Sequence, residues 1–278
     1  LAGSSAASDV YKRQSRSCRN REVYARDAHI MPPYRLIWFQ HLHKAAGTYI
    51  VRKAISNGEK PYPLNKNGNP HDENGAIPLW GLSDSELSNF VDECERLGIT
   101  FVATEWGGPN YSRLSKDPRV CLITCLRNPI DRFISNFNYD YYWMWTKSKN
   151  YSEYLSQDEI FTSPEYYTRI FSRNLDHQNE VTDQDLSTAK ENLLLFDKVI
   201  IAETGMTGLR DLGWINEADT IHPTFGDKWA KIHLLKKMKF LRLLEYVFRV
   251  KHKPKQEIDV EGLNKLDMEL YNFAKTLE

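Results

Sequence analysis

Cysteine is scarce. Four thiols in 278 residues cannot brace a disulfide-built scaffold, so the fold has to rest on a packed core. No Cys/His cluster has metal-ligand spacing, and His41 with His43 is too small a set for zinc, so no metal is expected. No run of about 18 apolar residues occurs, so nothing in the chain is expected to span a membrane. The nucleotide-kinase phosphate loop, Gly-x-x-x-x-Gly-Lys-Ser/Thr, is missing. Charge of one sign is missing too: 37 Lys and Arg balance 37 Asp and Glu. That balance argues against a nucleic-acid or general polyanion binder and leaves room for local basic patches.

What is present is apolar mass. At 41% hydrophobic residues, the chain can bury the core of one domain. The N-terminal tail stands apart. Ala2 to Gln14 has neither a signal-peptide core nor helical periodicity. Ser5-Ala-Ala-Ser-Asp-Val-Tyr-Lys-Arg-Gln14 resembles translated adapter sequence of assembled transcripts. Residues 1–33 are therefore set aside as a non-native or disordered tail, with the true N-terminus and any signal or membrane anchor expected to be missing. Residues 34–278 are expected to form a single domain.

The rest alternates strand and helix. An apolar strand at Arg35–Gln40 leads into a helix over Gly47–Ser56. Asn57–Trp80, rich in Gly, Pro and Asn, reads as a long loop. Ser83 with Glu86 forms a capping box for a helix running to Leu97. Strands follow at Ile99–Thr104 and Val120–Leu126, then a helix opened by Pro129. Asp183 or Ser187 caps a helix ending near Phe196, before a strand at Lys198–Ala202. The last third is mainly helical. This order predicts an α/β fold with a central parallel sheet. Cys121 and Cys125 share a strand face as core thiols; Cys18 and Cys94 are left open between free and paired.

Two strand ends carry chemistry. His41-Leu-His-Lys-Ala-Ala-Gly-Thr48 places a small, basic turn between a buried strand and a helix. Helix N-terminal N–H groups and the helix dipole favour an anion there. Lys44 adds a full charge, Thr48 a hydroxyl, and Gly47 lets the backbone come close. Leu126-Arg-Asn-Pro-Ile-Asp-Arg-Phe-Ile-Ser135 puts Arg127 at the end of a second buried strand. Open α/β sheets bind ligands at such ends, so Lys44 and Arg127 are predicted on one rim. Ser135, about two turns into the helix, faces the same crevice. Arg132 reads as an ion-pairing helix residue.

In this order the two segments resemble the donor-binding motifs of the carbohydrate sulfotransferases, of the heparan sulfate 2-O-sulfotransferase type (sulfotransferase family 2). The first is similar to their 5′-phosphosulfate loop, His-x-Pro-Lys-Thr-Ala-Gly-Thr-Ser. Here His43 replaces proline, Ala45 threonine and Tyr49 serine. The second is similar to their 3′-phosphate motif, Arg-Asp/Asn-Pro-x-x-Arg-x-x-Ser. The likeness runs on through Tyr166–Ser172, Ala189–Glu203 and Leu266–Ala274. It implies a P-loop NTPase-like three-layer fold, a central parallel sheet flanked by helices with a helical C-terminal third. It also implies 3′-phosphoadenosine 5′-phosphosulfate (PAPS) as donor, a carbohydrate hydroxyl as acceptor, no metal, and a Golgi-lumen location. Lys44, Ala45, Ala46, Gly47, Thr48 and Tyr49 would hold the 5′ end of the donor, and Arg127 with Ser135 the 3′-phosphate.

A general base must reach the acceptor hydroxyl. Glu105, just past the strand Ile99–Thr104, stands roughly where several family members carry a catalytic histidine. His43 and His41 are the next candidates. As a plain loop residue, Glu105 would instead cap a helix or pair with Arg127. Asn57–Trp80 is a candidate lining for the acceptor cleft. Tyr139–Trp145 is either an acceptor platform or core packing. Lys228–Lys255 carries ten Lys or Arg among spaced apolar residues, which suits an acidic polysaccharide, a membrane surface, or simply a solvated helix face. Asn110-Tyr-Ser112 and Asn150-Tyr-Ser152 are sequons for a secreted chain. The competing functional classes are a P-loop-type nucleotide kinase and a non-catalytic glycan-binding protein on the same fold.

Overall fold

A computed structural model describes residues 34–148, 150–157, 159–176, 178–215, 228–253 and 259–278. The N-terminal tail, with Cys18 and the adapter-like segment, lies outside these residues, as does Lys255.

Strand β1 (Leu36–Gln40) is buried along its whole length. It runs into helix α1 (Gly47–Ser56). The segment expected as a loop instead folds into short antiparallel strands β2 (Asn65–Lys66), β3 (Asn69–Asp72) and β4 (Gly75–Ala76). The Asn67-Gly68 turn explains this: both residues have positive φ, 51° and 83°, as tight hairpins demand. Helix α2 (Asp84–Leu97) starts at the anticipated capping box, with Ser83 and Glu86 bonded reciprocally, and stops at Gly98 in the left-handed region. Strand β5 (Phe101–Thr104), the single turn α3 (Tyr111–Leu114) and the fully buried strand β6 (Val120–Leu126) follow.

Helix α4 (Pro129–Trp143) has proline in its first turn and Asn128 as its cap. After α5 (Tyr151–Leu155) and α6 (Tyr166–Ser172) comes α7 (Asp183–Leu193). Its cap is Thr182, bonded reciprocally with Asp185, in place of the expected Asp183 or Ser187. Strand β7 (Lys198–Ile201) ends one residue early because Ala202 opens a 3-10 turn. The remaining described elements are helical: α8 (Thr207–Asp211), α9 (Lys228–Lys236), α10 (Phe240–Val247) and α11 (Lys265–Lys275).

The four long strands form one parallel sheet in the order β5-β1-β6-β7. Side chains alternate across it and feed two cores. Trp38, Val102, Leu122 and Val199 pack with α2, α6, α7 and α11 on one face. Phe39, Phe101, Ile123 and Ile200 pack with α1 and α8 on the other. Helices thus cover both faces of a parallel sheet, the arrangement its mainly apolar, buried strands require. Cys121 and Cys125 lie together in the second core as buried thiols, and Cys94 is free and buried. From β1 the chain moves outward to β5, and from β6 it moves the opposite way to β7. The crevice beyond the carboxyl ends of β1 and β6 is therefore the topological switch point.

Candidate functional site

Register builds the site. Gln40 lies opposite Thr104 in the β1–β5 pair, and the His41 amide extends the ladder to the Thr104 carbonyl at 2.9 Å. The next residue on each strand is then brought alongside the other. Glu105 accepts a 2.9 Å bond from His43 Nδ1 and a 3.4 Å bond from Asn69 Nδ2. Its second oxygen lies 3.6 Å from His41 Nδ1. The carboxylate therefore serves two imidazoles and a β3 amide. It neither caps a helix nor pairs with Arg127, as a plain loop residue would have done.

Burial lowers the basicity of both imidazoles and outweighs the pull of Glu105. Burial also pushes the Glu105 carboxyl up, but His41, His43 and Lys44 hold it below the usual carboxylate range. The resulting state at neutral pH is an ionised Glu105 and neutral rings. His43 Nδ1–H then donates to Glu105, which leaves Nε2 with its lone pair as a proton acceptor. The His43 ring is flanked by Phe161 at 4.6 Å and Tyr139 at 5.9 Å.

The turn between β1 and α1 has an unusual backbone. Lys44 and Ala46 both adopt positive φ, 63° and 62°, with Ala45 between them. Alternation of this kind turns successive N–H groups toward one concave side, the pattern of an anion nest. Ala46, the α1 cap residue, gives the helix no side-chain hydrogen bond, so the N–H groups of Gly47 and Thr48 remain open for a ligand. Gly47 has a further reason to be glycine. A Cβ there would lie 1.8 Å from His41 Nε2, so the space next to it belongs to a ring stacked on Phe39 at 5.4 Å.

Lys44 lies with its ammonium 3.9 Å above the Tyr139 ring and makes no ion pair with a described residue. Burial pushes its pKa down to about 8, Asp140 opposing and Arg127 adding to the fall. Arg127 is thus near enough for its charge to reach Lys44. The Arg127 side chain has no hydrogen-bond or ion-pair partner among the described residues. Its backbone is held on both sides by one phenol: Tyr167 accepts from the Arg127 N–H at 3.2 Å and donates to its carbonyl at 2.9 Å. Ser135 is half-buried on α4, one turn before Tyr139 and on the same helix face. Because Tyr139 lies under Lys44, that face looks into the crevice.

Arg132 departs from its expected role. It is fully buried and forms no ion pair with a described residue. Its guanidinium stacks on Tyr166 and Tyr167 at 4.5 and 5.7 Å and donates to the Phe161 carbonyl. These tyrosines had no assigned part. Tyr166 accepts from the His43 N–H at 3.1 Å while Tyr167 brackets Arg127, so adjacent residues of α6 tie the two rim segments together. The only local signal was the Tyr-Tyr pair itself. Helix α6 is fixed in turn by α11. Asp267 accepts from the Tyr167 and Thr168 N–H groups, and Glu165 accepts from those of Leu266 and Asp267.

The aromatic run divides between the two readings it allowed. Tyr139 reaches the site, Tyr142 is buried against Tyr246 in a small core, and Trp145 is 75% exposed. The 57–80 segment reaches the rim through Asn69, and His71 packs edge-on to Trp106 at 5.9 Å. No protein-family model and no curated protein matches the chain.

Proposed function

We propose that the chain is a PAPS-dependent carbohydrate O-sulfotransferase on a P-loop NTPase-like sheet. One observation carries the reading. Two cations that form no ion pair with a carboxylate among the described residues, Lys44 and Arg127, sit with an uncapped helix N-terminus at the switch point of a parallel sheet. A donor bearing anionic groups at both its 5′ and 3′ positions satisfies that arrangement. The 44–49 turn with the Thr48 hydroxyl would hold the 5′ end, and Arg127 with Ser135 the 3′-phosphate.

The chemistry asked of the protein is positioning and charge stabilisation. His43 Nε2 takes the proton of the acceptor hydroxyl as its oxygen bonds to sulfur. The bond from sulfur to the leaving phosphate oxygen breaks, and Lys44 stabilises the charge that builds there. Glu105 holds the His43 tautomer and balances the imidazolium that forms. Of the expected base candidates, His43 thus takes the proton and Glu105 orients it. A carbohydrate is the acceptor, and a Golgi location with a separate membrane anchor belongs to the same proposal.

The test is direct. Adenosine 3′,5′-bisphosphate should raise the melting temperature more than ATP does, and Lys44→Ala and Arg127→Ala should each abolish most of that shift. A larger shift with ATP would favour a nucleotide kinase. Bisphosphate binding without sulfate transfer to any member of a glycan panel would favour a glycan-binding protein.

A further inference from the structure

The basic, leucine-rich segment behaves unlike a surface helix. Nine of the fourteen exposed large apolar side chains among the described residues lie between positions 232 and 250. Helix α10 is inverted relative to a normal amphipathic helix. Its charged Arg242 stacks inward on Tyr141 at 3.8 Å and donates to that residue's carbonyl. Glu245, also turned inward, accepts from the Tyr141 hydroxyl. Tyr246 is the residue α10 buries, against Tyr142 and the α9 residues Ala230 and Leu234. What faces water is Phe240, Leu241, Leu244, Val247 and the following Phe248, with Leu241 80% and Phe248 76% exposed. Met238, in the turn before α10, is 73% exposed. The solvated polar face that the sequence allowed is therefore not what the fold presents.

Cations frame this surface. Lys236, Lys237 and Lys239 are exposed before α10, and Arg249 and Lys251 after it. Glu245 is the one acidic residue between positions 228 and 253, and it is committed to Tyr141 and His252. Apolar side chains with lysines and arginines at both ends match an interface rich in anionic lipid: the apolar groups enter the acyl boundary while the cations meet headgroup phosphates and carboxylates. A polysaccharide would satisfy the cations and leave the leucines and phenylalanines in water. A symmetric second copy would set the same cations against each other. Among the described residues no helix is long and apolar enough to cross a bilayer, so the contact lies on the surface.

We propose that the turn and helix from Lys236 to Lys251 form a docking surface for an anionic lipid bilayer, a contact independent of the chemistry at the Lys44 site. The test is co-sedimentation of the purified chain with vesicles of phosphatidylcholine alone and of phosphatidylcholine mixed with phosphatidylserine. Sedimentation velocity without lipid runs alongside. The chain should bind the phosphatidylserine vesicles, weakly or not at all the neutral ones, and less at high salt. Lys236→Gln, Lys237→Gln and Lys239→Gln together should weaken binding by roughly a hundredfold. Leu241→Ser with Phe248→Ser should abolish it with the melting temperature unchanged, because both side chains are exposed. Equal binding to both vesicle types, or no loss in the serine variant, overturns the proposal. So does a lipid-free dimer that the serine pair dissociates, since the face then belongs to a second copy.

Discussion

The proposed division of labour between His43 and Glu105 makes the sharpest prediction, because either side chain alone is a chemically sensible base. Glu105→Gln keeps the size and an acceptor oxygen but removes the charge facing His41, His43 and Lys44. The 2.9 Å bond from His43 Nδ1 then goes to a neutral amide, and the gain from a charge-assisted bond, about 1.5–3 kcal/mol, shrinks to that of a neutral one, about 1 kcal/mol. The difference, about 0.5–2 kcal/mol, corresponds to a fall in kcat of roughly 2- to 30-fold. His43→Gln removes the proton acceptor itself, and general-base catalysis is worth about 100- to 10,000-fold. Donor affinity should be unchanged or slightly tighter in Glu105→Gln, since one negative charge leaves the neighbourhood of the donor. The assay is steady-state sulfate transfer, with kcat and the donor KM resolved for each variant. A loss in Glu105→Gln equal to or larger than that in His43→Gln would make Glu105 the base. Full turnover in both would place the base elsewhere.

Other perturbations follow from the same geometry. The pH profile of kcat/KM should rise on the acid side through a pKa below 6.5, as His43 becomes neutral, and fall on the basic side near about 8, as Lys44 loses its proton. A basic limb that stays flat to pH 10 would refute the Lys44 assignment. Gly47→Ala drives a Cβ into the His41 ring, 1.8 Å from Nε2, and should cost about 1–3 kcal/mol of stability by urea denaturation. Gly47→Ala in a His41→Ala background should cost far less. Burial first, then Asp267, pushes the Glu165 carboxyl up to about 7 from an ordinary 4.5. A folded-state value above the unfolded one gives stability that is present below 4.5 and lost as pH rises through 7. Glu165→Gln should therefore flatten the decline in melting temperature between those pH values, and an unchanged slope would count against the assignment.

Much of the frame was legible before any coordinates. The run Val120–Leu126, apolar but for Thr124, can satisfy itself only as a strand buried on both faces, and β6 has those bounds. Ser83 and Glu86 marked a helix start because the capping box is local chemistry, complete within four residues. The same locality put Lys44 and Arg127 at strand ends. Where short-range signals competed, the boundaries moved. Asn67-Gly68 made a hairpin out of a segment whose composition reads as loop, and Thr182 displaced the expected cap of α7.

Tertiary structure alone decided how these pieces meet. The partner of Glu105 lies 62 positions earlier in the chain and is set by the strand order β5-β1 and by the Gln40–Thr104 register, which no local pattern encodes. Gly47 answers to the His41 ring, and Arg132 to a tyrosine pair more than thirty positions on, for the same reason. Helix α10 shows the limit most clearly. Its sequence has a strong apolar stripe, yet periodicity gives only which residues share a face and not which way that face turns. The body of the protein binds Arg242 and Tyr246, and Leu241 and Leu244 are left outside.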